Sequence, residues 1–208
     1  MAYDAAVETA MEDWEHQLRQ QGHRTVAGVD EAGRGPLAGP VVAGAIVLPE
    51  NGDFEGLNDS KKLSEAQRDY FYEKLTESTP NWSVAVVEVG VIDEINILQA
   101  ARLAMKQAVE SLSACPDMVL VDGNREIAVG MEQKTLVGGD RRCLSIAAAS
   151  VLAKVTRDRL MQDLHRRFPG YGFDRHKGYG TELHRARIAE LGPCLEHRKT
   201  FKGVKEYL

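Results

Sequence analysis

The sequence predicts an α/β layer with a mixed sheet, and three observations carry that reading. Short apolar runs bounded by glycine, proline or aspartate recur between helical stretches. The segment from Leu144 to Phe168 is apolar nearly all round as far as Val155, which suits a helix buried against a sheet. The element order is strand-strand-(helix)-strand-helix-strand-strand-helix. It combines neighbouring strands that hairpin together with strands that need a crossover.

Residues 4–21 read as an amphipathic helix ended by Gly22, with Ala5, Ala6, Met11, Trp14 and Leu18 at helical spacing. Thr25–Asp30 is a strand, Glu31–Pro40 a Gly- and Pro-rich turn, and Val41–Leu48 a second strand interrupted by Gly44. Pro49–Asp59 is loop. Ser64 starts a helix that runs to about Glu77, and Pro80 precedes a third strand, Ser83–Val89. Asp93 is expected to cap a long helix ending near Ser113. Met118–Val121 is a fourth strand, closing on Asp122-Gly123, and Thr135–Val137 ends a fifth. The apolar helix follows, becoming amphipathic after Arg157. Tyr171–Thr181 is a Gly-rich loop and Glu182–Leu191 a short terminal helix.

The chain has 208 residues, 43% hydrophobic and 27% charged, which excludes a disordered or fibrous class. Its apolar runs are too short to span a bilayer, and no charged start leads into an apolar stretch, so neither a membrane span nor a signal peptide is expected. Three widely spaced cysteines (Cys115, Cys143, Cys194) fit neither a disulfide framework nor a zinc ribbon, and point to the cytoplasm. The net charge of −5 hides an asymmetry. Residues 141–208 hold 15 basic and 7 acidic side chains; residues 1–140 hold 11 and 24. An acidic part beside a basic part suits a protein that collects cations in one place and grips phosphates in another. An unevenly charged solvated surface would give the same counts.

Three places put an acid where an apolar strand stops: Asp30-Glu31, Asp122 and Asp140, each close to glycine. Clustered carboxylates repel and are costly to bury without a cation, and hard oxygen ligands suit magnesium or manganese. Structural roles compete with this. Asp140 or Ser145 could cap the following helix, and Asp122-Gly123 could be a turn. Adjacent strand residues face opposite sides, so Asp30 and Glu31 share a site only if the strand has ended there.

Gly33-Arg34-Gly35-Pro36-Leu37-Ala38-Gly39 does not match a dinucleotide-binding loop, since the glycine spacing is wrong and a strand follows. A Gly-Arg-Gly turn can still bring backbone amides against a sugar or phosphate. Lys61-Lys62, Lys154 and Arg157 are candidate phosphate contacts, the last two on one helix face. Tyr179 lies between two glycines in the basic loop His176–Thr181, where it can stack on a base or sugar. The histidines have no metal-ligand spacing.

These motifs occur in one order: Val29–Pro40, Asn58–Ser64, Val121-Asp122-Gly123, Gly139-Asp140, Ile146–Asp158 and His176–Thr181. In that order the chain resembles the type 2 ribonuclease H family, specifically bacterial ribonuclease HII, from about Val26 to Phe201. The resemblance implies a ribonuclease H-like mixed five-stranded sheet with flanking helices: a catalytic core over residues 1–165 and a small C-terminal helical region over 166–208. It implies that Asp30, Glu31, Asp122 and Asp140 are both the catalytic acids and the metal ligands. It further implies that Gly33, Arg34 and Gly35 read a ribose 2′-hydroxyl while Tyr179 packs on the neighbouring sugar. Arg141-Arg142-Cys143 departs from the family's pattern just after the fourth acid.

The implied activity is hydrolysis of the RNA strand of RNA–DNA hybrids, and cleavage 5′ of ribonucleotides embedded in DNA duplexes, by a monomer. Two Mg²⁺ or Mn²⁺ ions on the order of 4 Å apart would act during catalysis, leaving 5′-phosphate and 3′-hydroxyl ends. Two other readings stand beside it. A non-catalytic hybrid binder would gain nothing from four carboxylates near its ligand, and a DNA-only nuclease would have no 2′-hydroxyl to read.

Overall fold

A computed structural model describes residues 11–208. Its twelve helices and strands are α1 (Trp14–Gln20), β1 (Val26–Ala32), β2 (Val41–Ile46), α2 (Glu65–Ser78), β3 (Trp82–Val87), α3 (Val89–Ile95), α4 (Ile97–Glu110), β4 (Met118–Asp122), β5 (Glu132–Leu136), α5 (Leu144–Arg167), α6 (Phe173–His176) and α7 (Glu182–Leu191). The five strands form one mixed sheet in the order β3-β2-β1-β4-β5. β1 and β3 each pair antiparallel with β2, the β2–β3 connection carrying α2, while the β1–β4 and β4–β5 pairs are parallel. No helix among the described residues is long and apolar enough to cross a membrane.

The sheet is covered on both faces. Ala27 and Val29 of β1 and Val119 and Val121 of β4 pack with Ala100, Ala101, Ala104, Met105 and Ala108 of α4. The opposite face takes α5, through Ile146–Leu152, and α2, through Phe71 and Leu75. Alanines at 147–149 let α5 lie close to the strands. Glycines in the strands complete the contact: a Cβ on Gly28 would stand 2.3 Å from the Ser145 carbonyl carbon, and one on Gly44 2.6 Å from the Ala149 oxygen. Gly44 therefore does not interrupt β2; it admits the helix.

Several expectations are corrected. β1 does not stop at Asp30: Glu31 and Ala32 continue the ladder opposite Ala43 and Val42. The expected helix over 4–21 is observed from Trp14, and residues 4–10 lie outside the described residues. Asp93 caps no helix. α3 and α4 are separate, and Asn96, at a φ of 66°, caps α4 by accepting from the amides of Leu98 and Gln99. Asp93 instead receives the amides of Lys199 and Thr200, which ties the C-terminal segment to α3. Val89 begins α3 and does not extend β3. The Tyr171–Thr181 loop contains the one-turn α6. Neither Asp140 nor the Ser145 side chain caps α5; the Ser145 amide donates to Glu15 Oε1 at 2.7 Å, so α1 supplies that cap. The Ser64 start is seen as a full capping box with Gln67.

Candidate active site

The alternation of β1 sends Asp30 and Glu31 to different faces. Asp30 follows Gly28 onto the α5 face, and Glu31 follows Val29 toward α4. Both still line one cleft at the C-terminal end of β1. Ala32–Gly35, Ser60, Lys61, Asp122, Ser150, Lys154, Arg157 and Tyr179 complete the lining. The condition that the strand must end before the two acids can share a site is not met; the cleft reaches past the strand to both.

Asp122 closes β4 on the Asp30 side, and its Oδ1 accepts the Gly139 amide at 2.7 Å. Asp140 sits in the tight turn Gly139–Arg141, buried behind the cleft, and its Oδ2 accepts from Lys61 Nζ at 2.9 Å. Asp30 Oδ1 accepts the Glu31 amide at 2.7 Å, and Glu31 Oε1 pairs with Arg34 at 3.2 Å. Asp140 also has Arg141 Nε 3.9 Å from its Oδ1. Among the described residues no three of the acids close on a single point.

Asp30 is only 4% exposed. Burial pushes its carboxyl well above the usual range, and Glu31, Asp122 and Asp140 push it further; the Glu31 amide opposes them. Burial also raises Glu31, against the pull of Arg34, and raises Asp122 together with the charge of Asp140. Burial would lower the Lys61 ammonium, but Asp140, Asp59 and Asp30 outweigh it and hold it above its ordinary value. Asp30 and Asp140 are buried, Glu31 and Asp122 half-buried; Lys61 and Arg141 face Asp140 and Arg34 faces Glu31, while the Asp30 and Asp122 carboxylates have no ion-pair partner among the described residues. A hard divalent cation fits that donor set.

The basic candidates separate. Lys61 reaches the cleft but is turned onto the acids. Lys154 lines the cleft with its ammonium 2.6 Å from Asp158; burial lowers its pKa, and the Asp158 contact opposes that. Arg157 is 1% exposed and donates to the carbonyls of Pro40, Ala38 and Lys177. Its guanidinium is thus engaged by the protein's own backbone, although the residue lines the cleft where a phosphate contact was expected. Lys154 and Arg157, on one helix face, both line the cleft, the first half-buried and the second almost fully buried.

The turn after β1 has two kinds of glycine. Gly33 has a φ of 100°, and a Cβ there would stand 2.2 Å from Arg157 Nε. Gly35 has room: a Cβ would meet only Tyr179 Cε1, at 3.5 Å. Tyr179 is 47% exposed and faces Gly35 across the cleft. The amides of Arg34 and Gly35 donate to no group among the described residues.

Sequence reasoning missed what lies beneath this turn. Arg198 is fully buried, donating to the carbonyls of Gly33, Arg34, Pro36, Gly39 and Pro40. Beside it His176, His184 and His197 pack with Phe173. The Cys194 amide donates to His197 Nδ1, so His197 carries its proton on Nε2 and donates to His184 Nε2 at 3.1 Å. His184 then donates from Nδ1 to the Tyr179 carbonyl at 2.9 Å. In sequence these residues read as a charged terminal segment, and the histidines carry no spacing that would bring them together.

Comparison with known proteins shows the family. The family model for ribonuclease HII matches residues 27–204. A ribonuclease HII from Geotalea uraniireducens is 55% identical over 94% of this chain and 91% of the relative. The crystal structure of ribonuclease H2 from Pyrococcus horikoshii OT3 superposes with a TM-score of 0.74 at 27% identity, covering 88% of this chain and 97% of that one. Bst-RNase HIII in complex with Mn²⁺ shares the fold at a TM-score of 0.69 and 19% identity, over 91% of this chain and 70% of that one. The buried acids at the strand ends and the Gly-Arg-Gly turn beside them thus sit in a chain that belongs to the ribonuclease HII family, metal-dependent ribonucleases H that act on RNA–DNA hybrids.

Proposed function

We propose that this ribonuclease H cleaves on the 5′ side of ribonucleotides embedded in DNA duplexes as well as within hybrids, leaving 5′-phosphate and 3′-hydroxyl ends. Asp30, Glu31, Asp122 and Asp140 would hold two divalent ions. The observation that carries the reading is the buried Asp30 carboxyl, surrounded by three like charges. Mg²⁺ or Mn²⁺ would supply Lewis-acid activation of water and charge stabilisation at the leaving oxygen.

The chain's own groups do the rest. The Gly139 amide and Lys61 orient Asp122 and Asp140 before substrate arrives, so little reorganisation is needed. The unengaged amides of Arg34 and Gly35 line the cleft where a sugar edge would lie, and a 2′-hydroxyl can accept from them. The Tyr179 ring, opposite Gly35, would pack on the adjoining sugar. Lys154 would approach a phosphate, with Asp158 sharing its charge. We read residues 1–165 as the core that carries the acids and residues 166–208 as the region that carries Tyr179, acting in a monomer.

The test is a cleavage assay on end-labelled duplexes carrying one, four or many ribonucleotides, with and without chelator. Cleavage 5′ of a single ribonucleotide, abolished by chelator, is expected. Cleavage only within long runs, or products with 3′-phosphate ends, would overturn the proposal.

A further inference from the structure

Two guanidiniums lie under the recognition turn, and neither has a carboxylate within ion-pair distance among the described residues. Arg157 and Arg198 together bind the carbonyls of Gly33, Arg34, Pro36, Ala38, Gly39, Pro40 and Lys177. Burying a charge this way is costly, and an apolar side chain could fill the same volume. The arrangement therefore calls for an explanation beyond packing. The two charges also repel, and burial lowers both guanidiniums, Arg198 to about 9 and Arg157 to about 10.

We infer that Arg198 is the positioning residue for ribonucleotide discrimination: by drawing five carbonyls of the Gly33–Pro40 turn inward, it leaves the Arg34 and Gly35 amides free at the cleft. The inference rests on the proposed role of that turn in reading the 2′-hydroxyl. Three features support it. Arg198 Nη2 lies 2.6 Å from the Gly33 oxygen, and Nη1 reaches Arg34 and Pro36 at 3.0 and 2.8 Å, so the fork spans both sides of Gly35. Only arginine offers five donors in a fixed plane; lysine has three on a mobile stem. The main chain beside Arg198 holds the same turn: the Arg198 amide donates to the Leu37 carbonyl at 2.9 Å, and the Gly39 amide donates to Glu196 at 2.8 Å.

The turn is also fastened to the Tyr179 loop, since the Leu37 amide donates to the Gly178 carbonyl at 2.8 Å. Arg198 thereby sets the distance between the two parts of the proposed recognition element. It touches neither the acids nor the cleft, so metal binding should not depend on it. It acts on a substrate sugar only through the peptide groups it orients.

The experiment measures affinity for a duplex with one ribonucleotide and for the all-DNA duplex of the same sequence, in an Asp122→Asn background that removes cleavage. Arg198→Lys is expected to lower the ratio of the two affinities at least about tenfold, while all-DNA affinity stays within about twofold. Gly35→Ala serves as the direct probe of the turn and is expected to lower the ratio similarly. If Gly35→Ala lowers the ratio and Arg198→Lys does not, the role given to Arg198 is wrong. If Gly35→Ala leaves the ratio intact, it is the reading of the turn that fails. Should Arg198→Lys not fold, Phe201→Leu decides. It removes the ring 5.1 Å from the Arg198 guanidinium carbon, while leucine keeps an apolar side chain in the place Phe201 shares with Leu37, Ile188 and Val204. A roughly threefold fall in the ratio supports the inference, and an unchanged ratio overturns it.

Discussion

A Cβ on Gly35 would meet only the Tyr179 ring, at 3.5 Å, an ordinary contact, whereas one on Gly33 would stand 2.2 Å from Arg157 Nε. Two glycines of one turn are therefore glycine for different reasons. Gly33 is required by the fold, whereas the protein itself places no such demand on Gly35. Gly35→Ala should melt within about 1–2 °C of wild type yet lose about tenfold or more in kcat/KM on a single-ribonucleotide duplex. Gly33→Ala should lose about 4 °C or more in melting temperature, from the left-handed backbone alone. Thermal melts beside initial rates check both. A Gly35→Ala protein with full activity would remove the turn from substrate recognition.

Asp30→Asn should stabilise the metal-free protein. Asparagine keeps an acceptor for the Glu31 amide and removes a buried charge repelled by three others. Melting in chelator is expected to rise by a few degrees, and cleavage to fall by at least about a thousandfold. Added magnesium should stabilise wild type more than the variant. A variant that melts lower in chelator would show that the Asp30 charge is compensated within the protein.

Stability should decline on mild acidification through the histidine cluster. Burial lowers His184 and His197 to about 4, below the 6.5 of an unfolded histidine. Between those values the unfolded chain binds more protons, so the contribution is complete above about pH 6.5 and is lost as pH falls toward 4. The raised carboxylates work in the opposite direction, so the informative quantity is the difference between wild type and His184→Asn. That difference should shrink as pH drops from 7 to 5. A constant difference would mean the imidazole is not held neutral by the fold.

Lys154→Ala should weaken duplex binding about equally with and without a ribonucleotide. Because Asp158 already shares its charge, the slope of log affinity against log salt should change by less than the ~0.9 expected for one full phosphate contact. Binding titrations between 50 and 200 mM salt resolve this. A loss confined to ribonucleotide-containing duplexes would place Lys154 in sugar recognition.

Acids at strand ends were legible because their signal is local: an apolar run, a carboxylate, a glycine. The sheet, α2 and α5 were legible for the same reason. Asp93 misled because a cap needs only a plausible neighbour in sequence, and its true partners, the amides of Lys199 and Thr200, lie over a hundred positions away. Arg157 and Arg198 were illegible for a related reason. A buried guanidinium satisfied by carbonyls leaves no periodicity and no complementary acid, so in sequence it cannot be told from surface charge.

The contact of α5 with Gly28 and Gly44 has a consequence for how the enzyme could change over time. The Ser145 carbonyl presses on β1 two residues before Asp30 and five residues after Asp140. The spacing between those acids is thus fixed where two main chains touch, with no side chain between them to enlarge or trim. Ordinary drift among the leucines and valines of the core can alter stability without retuning the metal site. Any mutation that adds even one methyl at Gly28 must instead move a helix, so the geometry of the chemistry is insulated from most of the sequence and exposed at one atom's width.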